Sequence, residues 1–200
     1  MEFVGAMLVA FIAIFPVELP DKTFVATLVL STRYPPLQTW IGVVLAFAVQ
    51  CAVAVGAGHL ISKLPQQPVQ LVAAGLFLIG AIVLARGARK ADTQEKEHEQ
   101  EYQAKVTEPK TGIRAIGASF LVLFAAEWGD LSQLLIAGLV ASGSDPVATG
   151  LGGWLGLATV SGLAVLLGRW LLKRVKLTFI RYVGATVCLV LAIVTAVSAF

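Results

Sequence analysis

The 200-residue sequence predicts an all-α polytopic membrane protein of six transmembrane helices, arranged as two inverted three-helix repeats with both termini outside. Three observations predict it. The chain is 58% hydrophobic and only 14% charged, little more than half the charge of an ordinary soluble domain. Its apolar residues fall into six runs, and a short acidic motif occurs twice.

The runs are Phe3 to Leu30, Leu37 to Ile61, Val69 to Ala85, Ile113 to Ala141, Val147 to Leu167 and Leu177 to Ala199. A helix needs about 20 apolar residues to cross the hydrocarbon core, so each run is long enough and no separate soluble catalytic domain fits. The first and fourth exceed a straight crossing, which predicts tilt, kinks or broken helices there. Between the runs lie Tyr34-Pro35-Pro36, Pro65 to Pro68, a charged segment, Ser142 to Pro146 and the basic stretch Arg169 to Lys176. The predicted organisation is a first repeat at 1–85, a charged cytoplasmic linker at 86–113 and a second repeat at 114–200.

Orientation follows from the basic residues. Arg33, the segment Arg86 to Arg114 and the stretch Arg169 to Arg181 carry 13 Lys and Arg on one side, against Lys63 alone in the loops of the other. The positive side is cytoplasmic. This accounts for the net charge of +3 without nucleic acid, for which no basic patch with interleaved aromatics exists. The linker is rich in Glu, Gln and Lys, which predicts disorder or a solvated helix, His98 included. The apolar start at Phe3 lacks a charged leader and is expected to remain in the mature protein.

Other residues receive structural expectations. Cys51 and Cys188 sit alone in separate apolar runs, as small packing residues. Trp40, Trp170, Tyr34 and Tyr182 fall near helix ends and are expected to anchor at the membrane interface. His59 reads as an interfacial residue and Trp128 as a packing one. The small residues Gly150 to Gly156 suit close helix approach.

The charges left inside the apolar runs are Glu18, Asp21 and Lys22 in the first and Glu127 and Asp130 in the fourth. Phe15-Pro-Val-Glu-Leu-Pro-Asp-Lys-Thr23 aligns with Phe124-Ala-Ala-Glu-Trp-Gly-Asp-Leu-Ser132 at a constant offset of 109 residues, which Gly75 and Gly184 also keep. Three helices per repeat force opposite orientations, as in the inverted repeats of secondary transporters. Glu and Asp three apart share one helix face. A charge at the helix centre costs roughly 2.5 to 3.5 kcal/mol on insertion scales, so the four acids are expected to converge inward. Pro20 frees the carbonyl of Pro16, and Pro16 that of Ile12, which predicts an unwound turn; Gly129 permits a similar one. Thr23, Ser132 and Gln133 add neutral oxygens. This all-oxygen ligand set suits Ca²⁺, Mn²⁺ or Mg²⁺. The competing account is structural, with the acids in interhelical hydrogen bonds or Glu18 paired with Lys22 one helical turn on.

The sequences ELPDKT at 18 to 23 and EWGDLSQ at 127 to 133 resemble the paired signatures of the GDT family, Ca²⁺/Mn²⁺:H⁺ exchangers that include Golgi proteins and bacterial Mn²⁺ exporters. The resemblance extends over nearly the whole chain, with Phe24 after the first motif and Arg33-Tyr34 at the end of its helix. Two departures stand out. Pro20 replaces the family glycine, and Leu131 replaces the basic residue of the second motif, leaving the acids with Lys22 alone.

The resemblance implies a secondary antiporter, not an enzyme, exchanging Mn²⁺ or Ca²⁺ for protons in a bacterial plasma (inner) membrane, with no prosthetic group. Glu18, Asp21, Glu127 and Asp130 are the expected metal site, Gln133, Thr23 and Ser132 its auxiliary ligands, and Lys22 a counter-ion or gating residue. The substrates are then divalent cations and protons, the partner is the bilayer, and a homo-oligomer is compatible. Alternatives are an exporter of another substrate such as an amino acid, an intramembrane metal-dependent enzyme, or a scaffold without transport.

Overall fold

A computed structural model describes residues 3–19, 21–106, 108–174 and 177–200. The described residues form α-helices and no strand. Helices α1 (Phe3–Glu18) and α2 (Lys22–Arg33) share the first apolar run, and α3 (Pro36–Ile61) and α4 (Gln66–Gly87) follow. A 3-10 turn at Ala88–Lys90 leads into α5 (Ala91–Lys105). Helices α6 (Ile113–Ala126) and α7 (Leu131–Ala141) share the fourth run, before α8 (Pro146–Arg174) and α9 (Leu177–Val197).

Local chemistry sets these boundaries. Pro36 and Pro146 open α3 and α8, where a missing N–H costs nothing. Asp145 caps α8, its Oδ1 accepting from the Ala148 N–H at 2.8 Å. Gly112, at φ 61°, makes the turn into α6.

Helices α3, α4, α8 and α9 are each long and apolar enough to cross a bilayer alone. The pairs α1/α2 and α6/α7 qualify only together, each bent by 71° at its break, which gives up to six crossings. Large apolar side chains such as Leu8, Leu45, Val72, Leu121 and Val194 cover the outside, a surface suited to lipid rather than water.

Packing across the two halves is reciprocal. Helix α1 lies along α8 as α6 lies along α3, and α8 also packs on α2 as α3 does on α7. At residue level, Gly42 of α3 sits on the carbonyl of Ile116, and Gly152 of α8 sits on the carbonyl of Met7, each so close that a Cβ would collide. Met7 and Ile116 are 109 residues apart, the spacing of the acidic motifs. Backbone contact of this kind drives helix association in membranes, where apolar burial does not.

Reciprocity fails at α4 and α9. They pack on each other, but α9 also packs on α1 and α4 on α7, without equivalent packing of α4 on α6 or α9 on α2 among the described residues. The matched glycines follow suit. A Cβ on Gly184 would stand 3.2 Å from the Pro16 carbonyl oxygen, whereas one on Gly75 would face open space.

The charged segment is helical and docked. Helix α5 packs against α2 and α9, with Ala91, Tyr102 and Val106 buried. Ala91, Gln94, His98, Tyr102 and Val106 recur at spacings of three or four, an inward stripe that the surrounding charge conceals. Two aromatics also serve differently from the interfacial expectation. Tyr34 is buried, and Trp40 donates from Nε1 to the Ala158 carbonyl at 3.0 Å, binding α3 to α8. Trp154 binds the same pair through the Val44 carbonyl, also at 3.0 Å. Tyr182 and His59 are exposed, and Cys51 and Cys188 are buried free thiols. Pro20, the Trp170 side chain and the end of the basic stretch lie outside the described residues.

Candidate functional site

The site forms where two helices stop and two begin. Helix α1 ends at Glu18, the chain turns with the Asp21 N–H on the Glu18 carbonyl at 3.1 Å, and α2 starts at Lys22. Asp21 is the N-cap of α2, in extended geometry, its Oδ1 accepting from the Lys22 N–H at 2.7 Å. The second half repeats the break, but Asp130 makes no side-chain capping bond among the described residues. Helix α6 ends at Ala126, Glu127 follows as its C-cap, and Asp130 precedes α7 as its N-cap.

The expectation that each Glu and Asp share one helix face is therefore corrected. They lie on opposite sides of a break, and it is the turn that brings their side chains together. The same break corrects the Glu18–Lys22 pairing by helical periodicity, because the two residues belong to different helices. Lys22 reaches across the halves, its Nζ 4.0 Å from Asp130 Oδ1.

Gly129 takes φ +77° in the second turn, with free space around a Cβ. The backbone conformation thus demands glycine here, where the sequence suggested only that it permits distortion. Gln133, in the first turn of α7, spans this break. Its Nε2 donates to the Glu127 carbonyl at 2.8 Å and its Oε1 accepts from the Gly129 N–H at 3.2 Å. The amide thereby braces the break from both ends. Gln50 of α3, 2% exposed, donates to the Phe124 carbonyl at 3.2 Å.

One carboxylate oxygen from each of Glu18, Asp21, Glu127 and Asp130 lies within 4.8 Å of the others. Glu18 and Glu127 are 1% and 2% exposed, and none of their carboxylate oxygens has a hydrogen-bond partner among the described residues. Asp130 Oδ2 and the Thr23 hydroxyl are buried and similarly unpartnered. Leaving one such buried polar group unsatisfied costs about 1 to 3 kcal/mol, and four close carboxylates repel one another as well. Only protons or a cation relieve both costs. Ser132 is buried in the first turn of α7. Trp128 is exposed beside the cluster and stacks at a tilt on Phe124, ring centroids 5.0 Å apart.

Helix ends add to the field. The last carbonyls of α1 and α6 and the first N–H groups of α2 and α7 meet at the breaks, bringing opposite dipole ends to one place. From outside the spans, α5 supplies Tyr102, whose hydroxyl is pushed above its usual range by burial, with Glu127 and Glu101 adding to the effect. A cavity of about 260 Å³ opens on Asp21 and Asp130 and is lined also by Gln94, His98 and Arg181.

Sequence reasoning missed the contributions of Gln50, His98, Gln94 and Arg181. Gln50 was accessible to the rule that exposed the acids, since it is a strongly polar residue within an apolar run. The other three carry no local signal.

The chain is similar to known proteins along nearly its whole length. A family model described as divalent cation/proton antiporter GDT1 matches residues 6–92 and 115–200. GDT1-like protein sll0615 of Synechocystis sp. is 30% identical over 188 residues, covering 89% of this chain and 90% of that protein. The chloroplastic protein PAM71 of Arabidopsis thaliana is 30% identical over 93% of this chain, and GDT1-like protein 3 of the same plant 25% identical over 90%. This chain spans 55% and 66% of the length of those two plant proteins. No solved structure matches. With the family model covering both helical halves and a 30% identical relative matched over 89% of this chain and 90% of its own, the chain belongs to the GDT1 family of divalent cation/proton antiporters.

Proposed function

We propose that this antiporter exchanges Mn²⁺ or Ca²⁺ for protons through Glu18, Asp21, Glu127 and Asp130. The observation that carries this reading is the convergence of the four carboxylates within 4.8 Å, two of them buried without a hydrogen-bond partner among the described residues. Crowded carboxylates at low dielectric do not all stay ionised when empty. A divalent cation held by hard oxygens neutralises them, and protons do so in its absence. The two occupants exclude each other, which is the coupling that exchange requires.

Thr23 offers an unpartnered buried hydroxyl beside Glu18, and Ser132 occupies the corresponding turn of α7. Gln133 contributes by holding the Glu127–Asp130 turn rather than by a free oxygen. Lys22 is the counter-ion that stands against Asp130 when no metal is bound. The halves at 1–85 and 114–200 act as inverted repeats, supported by the matched contacts of Gly42 and Gly152. The side bearing α5 is cytoplasmic, supported by its excess of Lys and Arg, in a bacterial plasma membrane.

Direct binding tests the site. Adding Mn²⁺ to the purified protein in weak buffer should release protons, and Glu18→Gln or Asp130→Asn should abolish both binding and release. Unchanged proton release by either variant overturns the assignment.

A further inference from the structure

The cavity beneath α5 is not explained by the carboxylates alone. It is bounded by α1, α4, α7 and α9 and roofed by Gln94 and His98 of α5, with Asp21 and Asp130 in its wall. The roof is fastened. Arg181 Nη1 of α9 donates to the Gln94 Oε1 at 2.6 Å and to the Gly87 carbonyl at 2.8 Å, while Tyr102 and Val106 are buried in the main core. A solvated linker would need none of these contacts. The space is large enough for several waters at about 30 Å³ each. It is the one polar-lined opening among the described cavities that touches the acids.

We propose that this cavity is the route by which the cation reaches Asp21 and Asp130 from the α5 side, and that Gln94 and His98 line it as residues governing passage. The proposal rests on the cation-exchange reading above. Its test uses full-length protein in liposomes with Cys51→Ala and Cys188→Ala as background, carrying His98→Cys, Gln94→Cys or Glu97→Cys. Exchange is measured before and after reaction with a positively charged, water-soluble methanethiosulfonate. Labelling at positions 98 and 94 should remove most exchange, and saturating Mn²⁺ should slow the labelling severalfold. Labelling at exposed position 97 should do neither. Complete labelling at 98 and 94 with exchange intact overturns the proposal while leaving cation exchange itself established. As a variant that needs no reagent, His98→Trp fills the cavity and should slow exchange far more than His98→Ala. Equal rates for the two also overturn it.

An independent observation carries a second inference. The halves repeat each other's contacts except at α4 and α9, where Gly184 closes on the Pro16 carbonyl while its counterpart Gly75 is uncovered. The residue corresponding to Pro16 at the 109-residue offset is Ala125, which is exposed. Equivalent sequences packed unequally describe one of two states of a symmetric device. We infer that α4 and α9 move as a pair and that in the other state Gly75 closes on the Ala125 carbonyl as Gly184 leaves Pro16. In the same cysteine-free background, Ala74→Cys with Ala125→Cys and Ala185→Cys with Pro16→Cys are each treated with a short bifunctional thiol cross-linker. Conditions that switch the occupant from Mn²⁺ to protons should raise cross-linking of one pair and lower that of the other. Both pairs changing together, or the 74/125 pair never reacting although each thiol labels singly, overturns the inference.

Discussion

Lys22 Nζ stands 4.0 Å from Asp130 Oδ1, so the lysine of one half is held by the acid that caps a helix of the other. Both groups are partly exposed, 29% and 19%, and the attraction is correspondingly modest. Its importance is positional. On the proposed reading the lysine occupies an acid that the cation needs, and Leu131 stands where the family signature that the motif resembles has a second basic residue.

Lys22→Gln should therefore lower the KM for Mn²⁺ severalfold, because the metal no longer competes with an ammonium. It should also slow maximal exchange, since release then leaves the acids without a replacement partner. Initial rates of flux across a Mn²⁺ concentration series read both effects.

Gly129→Ala should destabilise the protein by about 1 to 2 kcal/mol, the cost of a left-handed residue with a Cβ. Space is not the cause, because nothing lies within 4 Å of that Cβ. A lower unfolding temperature in detergent, together with weaker Mn²⁺ binding, is the expected result.

Gln133→Leu removes both hydrogen bonds across the Glu127–Asp130 turn, each worth about 1 kcal/mol. Exchange should fall by about tenfold or more, the loss typical of a displaced ligand support. Gln133→Glu keeps an acceptor for the Gly129 N–H and should retain more activity than Gln133→Leu. Flux measurements on the two variants at matched expression separate them.

Gly42→Ala and Gly152→Ala should destabilise to a similar extent, by about 1 to 3 kcal/mol as for other overpacked positions. Each Cβ meets the carbonyl of a helix in the other half, at Ile116 or Met7. Thermal unfolding of both variants checks the match, and a large difference between them contradicts the reciprocal packing.

The architecture was legible because its signals are local. Scarce charge, six apolar runs and the 109-residue offset each survive without tertiary knowledge. The acids were legible for the same reason, since a carboxylate in an apolar run is costly wherever it lies. Their geometry was legible only in part: the excess length of the two runs and the Pro16, Pro20 and Gly129 positions foretold the breaks, but not what the breaks do to the acids. Periodicity treated residues 18 to 22 and 127 to 130 as continuous helix faces, whereas the breaks place Asp21 and Asp130 as caps of new helices. The docking of helix α5 escaped notice because its stripe of Ala91, Tyr102 and Val106 is thin and diluted by charge. The pairing of Arg181 with Gln94, 87 residues apart, leaves no trace in any window.

The most direct test of the central claim is proton movement in acid-loaded liposomes containing a pH-sensitive dye, for the wild type and for Glu127→Gln. External Mn²⁺ or Ca²⁺ should alkalinise the lumen of wild-type vesicles, and Glu127→Gln should leave it unchanged although the variant folds. Equal alkalinisation by the variant, or none by the wild type with either ion, would contradict the account.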